Sequence, residues 1–142
     1  SNIECEKIIN AINTHDEKEI KKLFSENTLE KADDLEKGSE YLFSEYQGEL
    51  EKIKRTDYGS VTYYGNKFDL TREVSAEFLV STKDKKYDFY IEYMIAEGKK
   101  SKDQGISKLV VKAFENGKQP IYKDYDKVGI YWPGWDEGGK EE

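Results

Sequence analysis

The chain has a single cysteine and a single histidine, which removes two ways of holding a small fold together. Cys5 cannot close an intramolecular disulfide, and with only His15 beside it no Cys/His zinc site can be assembled. On an apolar helical stripe Cys5 reads as a small core residue. No apolar run approaches the ~20 residues of a membrane-spanning helix. Only two prolines are present, and with no flexible linker or internal repeat, residues 1–142 read as a single domain. Basic charge is also in deficit, 23 Lys and Arg against 30 Asp and Glu, which disfavours non-specific binding to DNA, RNA or an anionic membrane. Nucleic acid is not an expected partner. Apolar residues make up only 36% of the chain, yet 13% are aromatic, more than a chain unable to build a core would carry. No signal peptide opens the sequence, and Ser1-Asn2 reads as a protease-cleavage remnant left where a targeting segment was removed. Residues 137–142 read as a charged, frayed tail.

Within this polar chain the strongest pattern runs over residues 67–96. Phe68, Leu70, Val74, Ala76, Phe78 and Val80 are spaced by twos, as are Tyr87, Phe89, Ile91, Tyr93 and Ile95, the period of half-buried strands. A two-residue turn at Asp84-Lys85 sets Val80 opposite Phe89, Phe78 opposite Ile91, Ala76 opposite Tyr93 and Val74 opposite Ile95. A third strand is expected over residues 106–114, with Leu109, Val111 and Ala113 on one face and Lys108 and Lys112 on the other. A weakly alternating edge or bulged strand is expected over residues 49–56, with Leu50 and Ile53 as anchors. Residues 57–65 suit a turn with a short strand or loop, and residues 128–132 a final strand.

Helical patterns come first. Cys5, Ile8, Ile9 and Ile12 form one stripe. Thr14-His15-Asp16-Glu17 has the form of a capping box opening a second helix with Ile20, Leu23 and Phe24 buried. His15 then sits in its first turn as a solvated imidazole. After a short helical piece near Leu29 and Ala32, Asp33 or Asp34 can cap a third helix carrying Leu35, Leu42, Phe43 and Tyr46, which Gly48 ends. Helices followed by a strand meander predict an α+β fold with three N-terminal helices packed on a curved, mainly antiparallel sheet.

The order helix, Lys22-Leu23-Phe24-Ser25, helix, Tyr41-Leu42-Phe43 to Gly48, strands ending at Thr82 and Lys86-Tyr87, then Gly105-Ile106, resembles an uncharacterised family of bacterial lipoproteins with a nuclear-transport-factor-2-like (cystatin-like cone) fold. The likeness spans roughly residues 8–114. It implies an extracytoplasmic protein anchored to the cell membrane through a lipidated cysteine upstream of this chain, and it implies no reaction and no cofactor.

Cone folds often hold a pocket between sheet and helices, and ketosteroid isomerases place acid–base residues there. Here the expected inward face carries no carboxylate in mid-sheet. Its polar tips are Tyr87 and Tyr93, and Arg72 interrupts the apolar series, opposite Glu97 in the expected register. Arg72 is thus either half of a cross-strand ion pair or a cation for a carboxylate or phosphate ligand. On the other face Glu77 is expected against Glu92, with Lys108 or Lys112 as counter-ion and no metal. In Tyr131-Trp132-Pro133-Gly134-Trp135, strand parity turns Trp132 into the core and leaves Trp135 exposed for a partner or a sugar. The expected ligand-binding residues are therefore Arg72, Tyr87, Tyr93 and Trp135. The expected function is a non-enzymatic surface domain binding a small molecule or an envelope protein. The alternatives are a ketosteroid-isomerase-like enzyme and a structural module that pairs into a homodimer.

Overall fold

The computed structural model describes residues 2–57, 61–65, 70–96, 101–120 and 125–135. The expected strand start at Lys67 and Phe68, Tyr58, Glu97 and the tail at 137–142 lie outside them. Four helices, α1 (Ile3–Thr14), α2 (Glu17–Lys21), α3 (Glu26–Lys31) and α4 (Leu35–Glu45), precede strands β1 (Leu50–Asp57), β2 (Val61–Tyr64), β3 (Thr71–Thr82), β4 (Lys86–Ala96), β5 (Gly105–Ala113) and β6 (Gly129–Ile130). The sheet order is β1-β3-β4-β5-β6, with β2 also on β3. The β1, β2, β3, β4 and β5 pairings are antiparallel, and β6 joins β5 in parallel. The architecture is α+β with an open, curved, mostly antiparallel sheet.

The helix count exceeds the expected three because each break carries its own cap. α1 buries Cys5, Ile8, Ile9 and Ile12 as its spacing requires. It ends when His15 enters the left-handed region at φ 56°, a conformation that stops a helix. His15 is thus a C-cap stacked on Phe43 at 5.2 Å rather than a first-turn residue. The expected capping box is displaced. The Thr14 hydroxyl donates to Ala11 O at 2.6 Å, and Asp16 becomes the N-cap, accepting the Lys18 amide at 3.0 Å. Ser25 caps α3 by accepting the Thr28 amide at 3.1 Å, and Asp34 caps α4 by accepting the Lys37 amide at 3.0 Å.

The β3–β4 hairpin keeps the expected face but not the expected register. Val80 faces Tyr87, Phe78 faces Phe89, Ala76 faces Ile91 and Val74 faces Tyr93, a slip of two residues. A slip of two preserves which side chains point inward. The turn itself explains it. The Thr82 hydroxyl oxygen accepts the amides of Asp84 at 3.2 Å and Lys85 at 3.0 Å, and the Thr82 amide donates to Lys85 O at 2.8 Å. The reversal therefore centres on Lys83-Asp84, where a threonine at the first position supplies an acceptor. β1 is bulged, with register shifts after Leu50 and after Arg55.

The concave middle is full. Ala76, Phe78, Val80, Tyr87, Phe89 and Ile91 are buried against Ile8, Ile9, Ile12, Ile20, Phe24, Leu42 and Tyr46. A buried phenylalanine such as Phe78 contributes roughly 3–5 kcal/mol by the cost of its truncation. Two segments of the sequence pattern that carries the likeness, Leu23-Phe24-Ser25 and Gly105-Ile106, meet at the start of β5. The Ser25 amide donates to Ile106 O at 3.1 Å and the Ile106 amide to Leu23 O at 2.9 Å. Gly105, at φ 132°, lets the backbone approach so closely that a Cβ there would lie 2.7 Å from Ser25 N.

A second, smaller cluster covers the other face of the sheet, where Tyr125 and Trp135 enclose Val110. This reverses the expected roles of the two tryptophans. β6 stops at Ile130, so strand parity does not extend to Trp132. Pro133-Gly134 then closes a tight turn in which Gly134 has φ 94° and the Trp135 amide donates to Trp132 O at 2.7 Å. That turn returns Trp135 to the sheet, 2% exposed. Trp132 is half-buried, with the Lys37 ammonium 4.3 Å from its ring centroid.

Candidate functional site: the open end of the concave face

Directly opposed residues of an antiparallel sheet share a face, so the register places side chains without further argument. Beyond the filled middle, one rung aligns Tyr63, Arg72 and Ile95, and the next aligns Val61, Val74 and Tyr93. Both rungs lie on the helix-facing side. Val61 is 47% and Tyr63 62% exposed, and Ile3, at the start of α1, is 55% exposed. The Asn2 side chain donates to Ile53 O at 3.3 Å and holds this end of α1 near β1.

Arg72 is half-buried and faces Ile95, not Glu97. Its Nε is enclosed and makes no hydrogen bond among the described residues, an uncommon state for a group with five N–H donors. Arg55 sits on the same side, its guanidinium 5.7 Å from the Phe78 ring centroid. Burial pushes the Tyr93 hydroxyl above its ordinary pKa, Glu4 adds to this, and Arg55 and Arg72 pull it back. Those influences place Tyr93 among two cations and one carboxylate. Beside it, a cleft of about 390 Å³ is lined by Glu4, Lys7, Lys22, Leu23, Tyr93 and Ile95 with their neighbours.

The structure thus brings Arg72 and Tyr93 together and separates them from the other two expected ligand residues. Tyr87 lies in the filled core, where its hydroxyl donates to Glu45 O and accepts the Gln47 amide, each at 2.8 Å. Burial raises its pKa, and it acts as a strut between β4 and the end of α4. Trp135 lies on the opposite face, inside the second cluster.

Sequence reasoning missed the polar chemistry on that opposite face. The same two-residue slip sets Glu77 against Tyr90 and Glu92 against Ser75, so the expected Glu77–Glu92 pair does not form. Instead Asp88, 5% exposed, shares a hydrogen bond with Glu77, and the Gln119 amide donates to Asp88 Oδ1 at 3.1 Å. Burial pushes the Asp88 carboxyl up to about 8, helped by Glu77 and opposed by Gln119 and Lys112. Lys108 is 5% exposed, donates to Tyr125 O and stands 3.7 Å from Glu92. The Tyr90 hydroxyl donates to the other Glu92 oxygen at 2.6 Å. The signal that could have found this face is Val110, an apolar residue alternating with Lys108 and Lys112 and therefore in need of cover.

Fold and site define an α+β domain whose sheet is filled by helices in the middle and leaves an arginine and a tyrosine in an apolar frame at its open end. Residues 7–124 match a family described as a domain of unknown function, DUF5104, and the chain belongs to that family. No curated protein matches the chain.

Proposed function

We propose that this domain is a non-enzymatic, extracytoplasmic binding module that takes a small organic anion with an apolar body at the open end of its concave face. The observation that carries this reading is Arg72, whose enclosed Nε lacks a hydrogen bond among the described residues while Val61, Tyr63, Val74 and Ile95 share its face on the same and the next rung. A carboxylate or sulfonate accepting from a guanidinium in apolar surroundings gains a charge-assisted hydrogen bond. The apolar body of such a ligand would cover the exposed Val61 and Tyr63. The filled core leaves no room for a ligand in mid-sheet, which directs binding to this end.

The ketosteroid-isomerase-like alternative needs a carboxylate hydrogen-bonded to a pocket tyrosine. Glu4 influences Tyr93 but forms no hydrogen bond with it among the described residues. The Tyr90–Glu92 bond lies on the face away from the helices, where Lys108 already engages Glu92.

Placement outside the cytoplasm rests on the lipoprotein-like sequence pattern. Cys5 is fully buried in the core, and burial, with Glu6 beside it, pushes its thiol up to about 12. It therefore cannot carry an outward acyl chain, and an anchor would be attached upstream. The binding test uses the fluorescent sulfonate 1-anilinonaphthalene-8-sulfonate, with decanoate as competitor. We expect saturable binding displaced by decanoate and weakened about tenfold, about 1.4 kcal/mol, by Arg72→Gln. Equal affinity in that variant, or amide shifts confined to the opposite face of the sheet, would refute the assignment.

A further inference from the structure

Past the end of β5 the chain builds a cleft of about 640 Å³ between α4, a small hairpin and the segment before Trp135, within the roughly 300–1,000 Å³ typical of ligand sites. Two features of its wall are fixed in advance. Asn116-Gly117, with φ of 53° and 73°, forms the two-residue turn of a tight hairpin closed by Glu115 and Lys118 through bonds of 3.2 and 2.9 Å. Gln119, the next residue, is anchored to Asp88 on the sheet at 3.1 Å. On the facing side the Tyr41 hydroxyl donates to Val111 O at 2.8 Å, and its ring meets Tyr131 edge-on at 6.1 Å. Tyr131 is itself packed on Tyr125 and Trp135. The aromatic walls are therefore held in place by contacts that do not depend on a ligand.

The lining charges balance, Lys112 and Lys118 against Glu45 and Glu115. A cleft with no net sign gives no preference to an anion or a cation. What it offers is carbon surface from Tyr41, from Tyr131, over whose ring the Lys112 ammonium stands at 5.0 Å, and from Pro120 and Pro133, beside amides and carboxylates that donate and accept hydrogen bonds. A pyranose ring has the matching chemistry, with C–H faces that lie on aromatic rings and a rim of hydroxyls that pair with amides and carboxylates. We propose that this cleft is a second binding site, separate from the Arg72 end, and that it takes a neutral carbohydrate. Preformed walls reduce the ordering cost that otherwise consumes binding energy.

The test is saturation-transfer NMR and calorimetry on the intact domain with cellotriose, maltotriose and N,N′-diacetylchitobiose, and with sialyllactose and glucosamine as charged controls. At least one neutral sugar should bind and shift the Asn116 and Gln119 amide signals. Tyr131→Ala should weaken that binding about tenfold, about 1.4 kcal/mol. Because Tyr131 supports the second cluster, Glu45→Ala serves as a variant that leaves the packing alone, and it too should weaken binding. Arg72→Gln should not. Failure of all three neutral sugars, preference for a charged control, or undiminished binding by both folded variants would each overturn the proposal.

Discussion

Replacing Asp88 with asparagine removes a proton-binding group from the sheet while keeping its hydrogen bonds. The Oδ1 that accepts from Gln119 remains, and the new amide can donate to Glu77 as the protonated Asp88 does. Burial raises this carboxyl from its ordinary value of 3.8 to about 8. Below the lower value both folded and unfolded chains hold the proton, and the residue contributes no pH dependence. Between the two values the unfolded chain has released it and the folded chain has not. The folded state then binds more protons, so the Asp88 contribution to stability falls as pH rises, by at most about 1.4 kcal/mol per pH unit. Above the upper value both states are ionised and the loss levels off. From pH 5 to pH 7 the ceiling is about 3 kcal/mol. Asp88 is coupled to its charged neighbours, which spreads the loss over a wider pH range, and we expect a difference of roughly 1–2 kcal/mol. The measurement is urea unfolding of wild type and Asp88→Asn in parallel at pH 5, 6, 7 and 8. The variant should gain on wild type as pH rises. A difference between the two that stays constant with pH, or a variant that loses ground to wild type as pH rises, would show that Asp88 is ionised in the fold and that the reasoning fails.

Two further substitutions test the packing. At Gly38, inside α4, an added Cβ would lie 2.6 Å from Ile130 Cβ and 2.9 Å from its Cγ2. Gly38→Ala should therefore lower stability by about 1–2 kcal/mol despite the ~1 kcal/mol gained in helix propensity, and a higher melting temperature would refute the close α4–β6 contact. Trp135→Ala should cost about 3–5 kcal/mol as a truncation of a buried aromatic, and the half-buried Trp132 about half as much. Acrylamide quenching that finds Trp135 the more accessible indole would contradict the turn at Pro133-Gly134.

Hydropathy alternation was enough to identify β3, β4 and β5 and the face each buries, because side-chain parity survives a register error of two. It could not supply the register itself. That depends on the Thr82 hydroxyl accepting two turn amides, a specific hydrogen-bond geometry that an apolar pattern does not encode. The cap of α4 was readable as Asp33 or Asp34, whereas the cap expected at Thr14 falls on Asp16, since His15 turns left-handed first. Arg72 and Tyr93 were visible as polar interruptions of an inward apolar series. Trp135 and Asp88 were not, because their burial depends on the segment that folds over the outer face, which has too few regular residues to show a period.

Why Arg72 and Tyr93 lie beyond the helix cover follows from element lengths. β3 has 12 residues and β4 has 11, so at roughly 3.3 Å per residue each extends about 36–40 Å. α1 has 12 residues and α4 has 11, but at 1.5 Å per residue they reach only about 16–18 Å. The helices can cover the rungs between Ala76–Ile91 and Val80–Tyr87, and they do, leaving those residues at most 2% exposed. The strands continue past that cover, where Val74 is still buried but Arg72, Tyr93 and Ile95 keep only part of their area buried and Val61 and Tyr63 are exposed. A sheet that served packing alone would end where the helices end, or would place small polar residues on the overhang. This one continues with an arginine, two tyrosines, two valines and an isoleucine in two rungs. On that overhang the half-buried Arg72 and the exposed area of Val61 and Tyr63 are what the proposed ligand would cover.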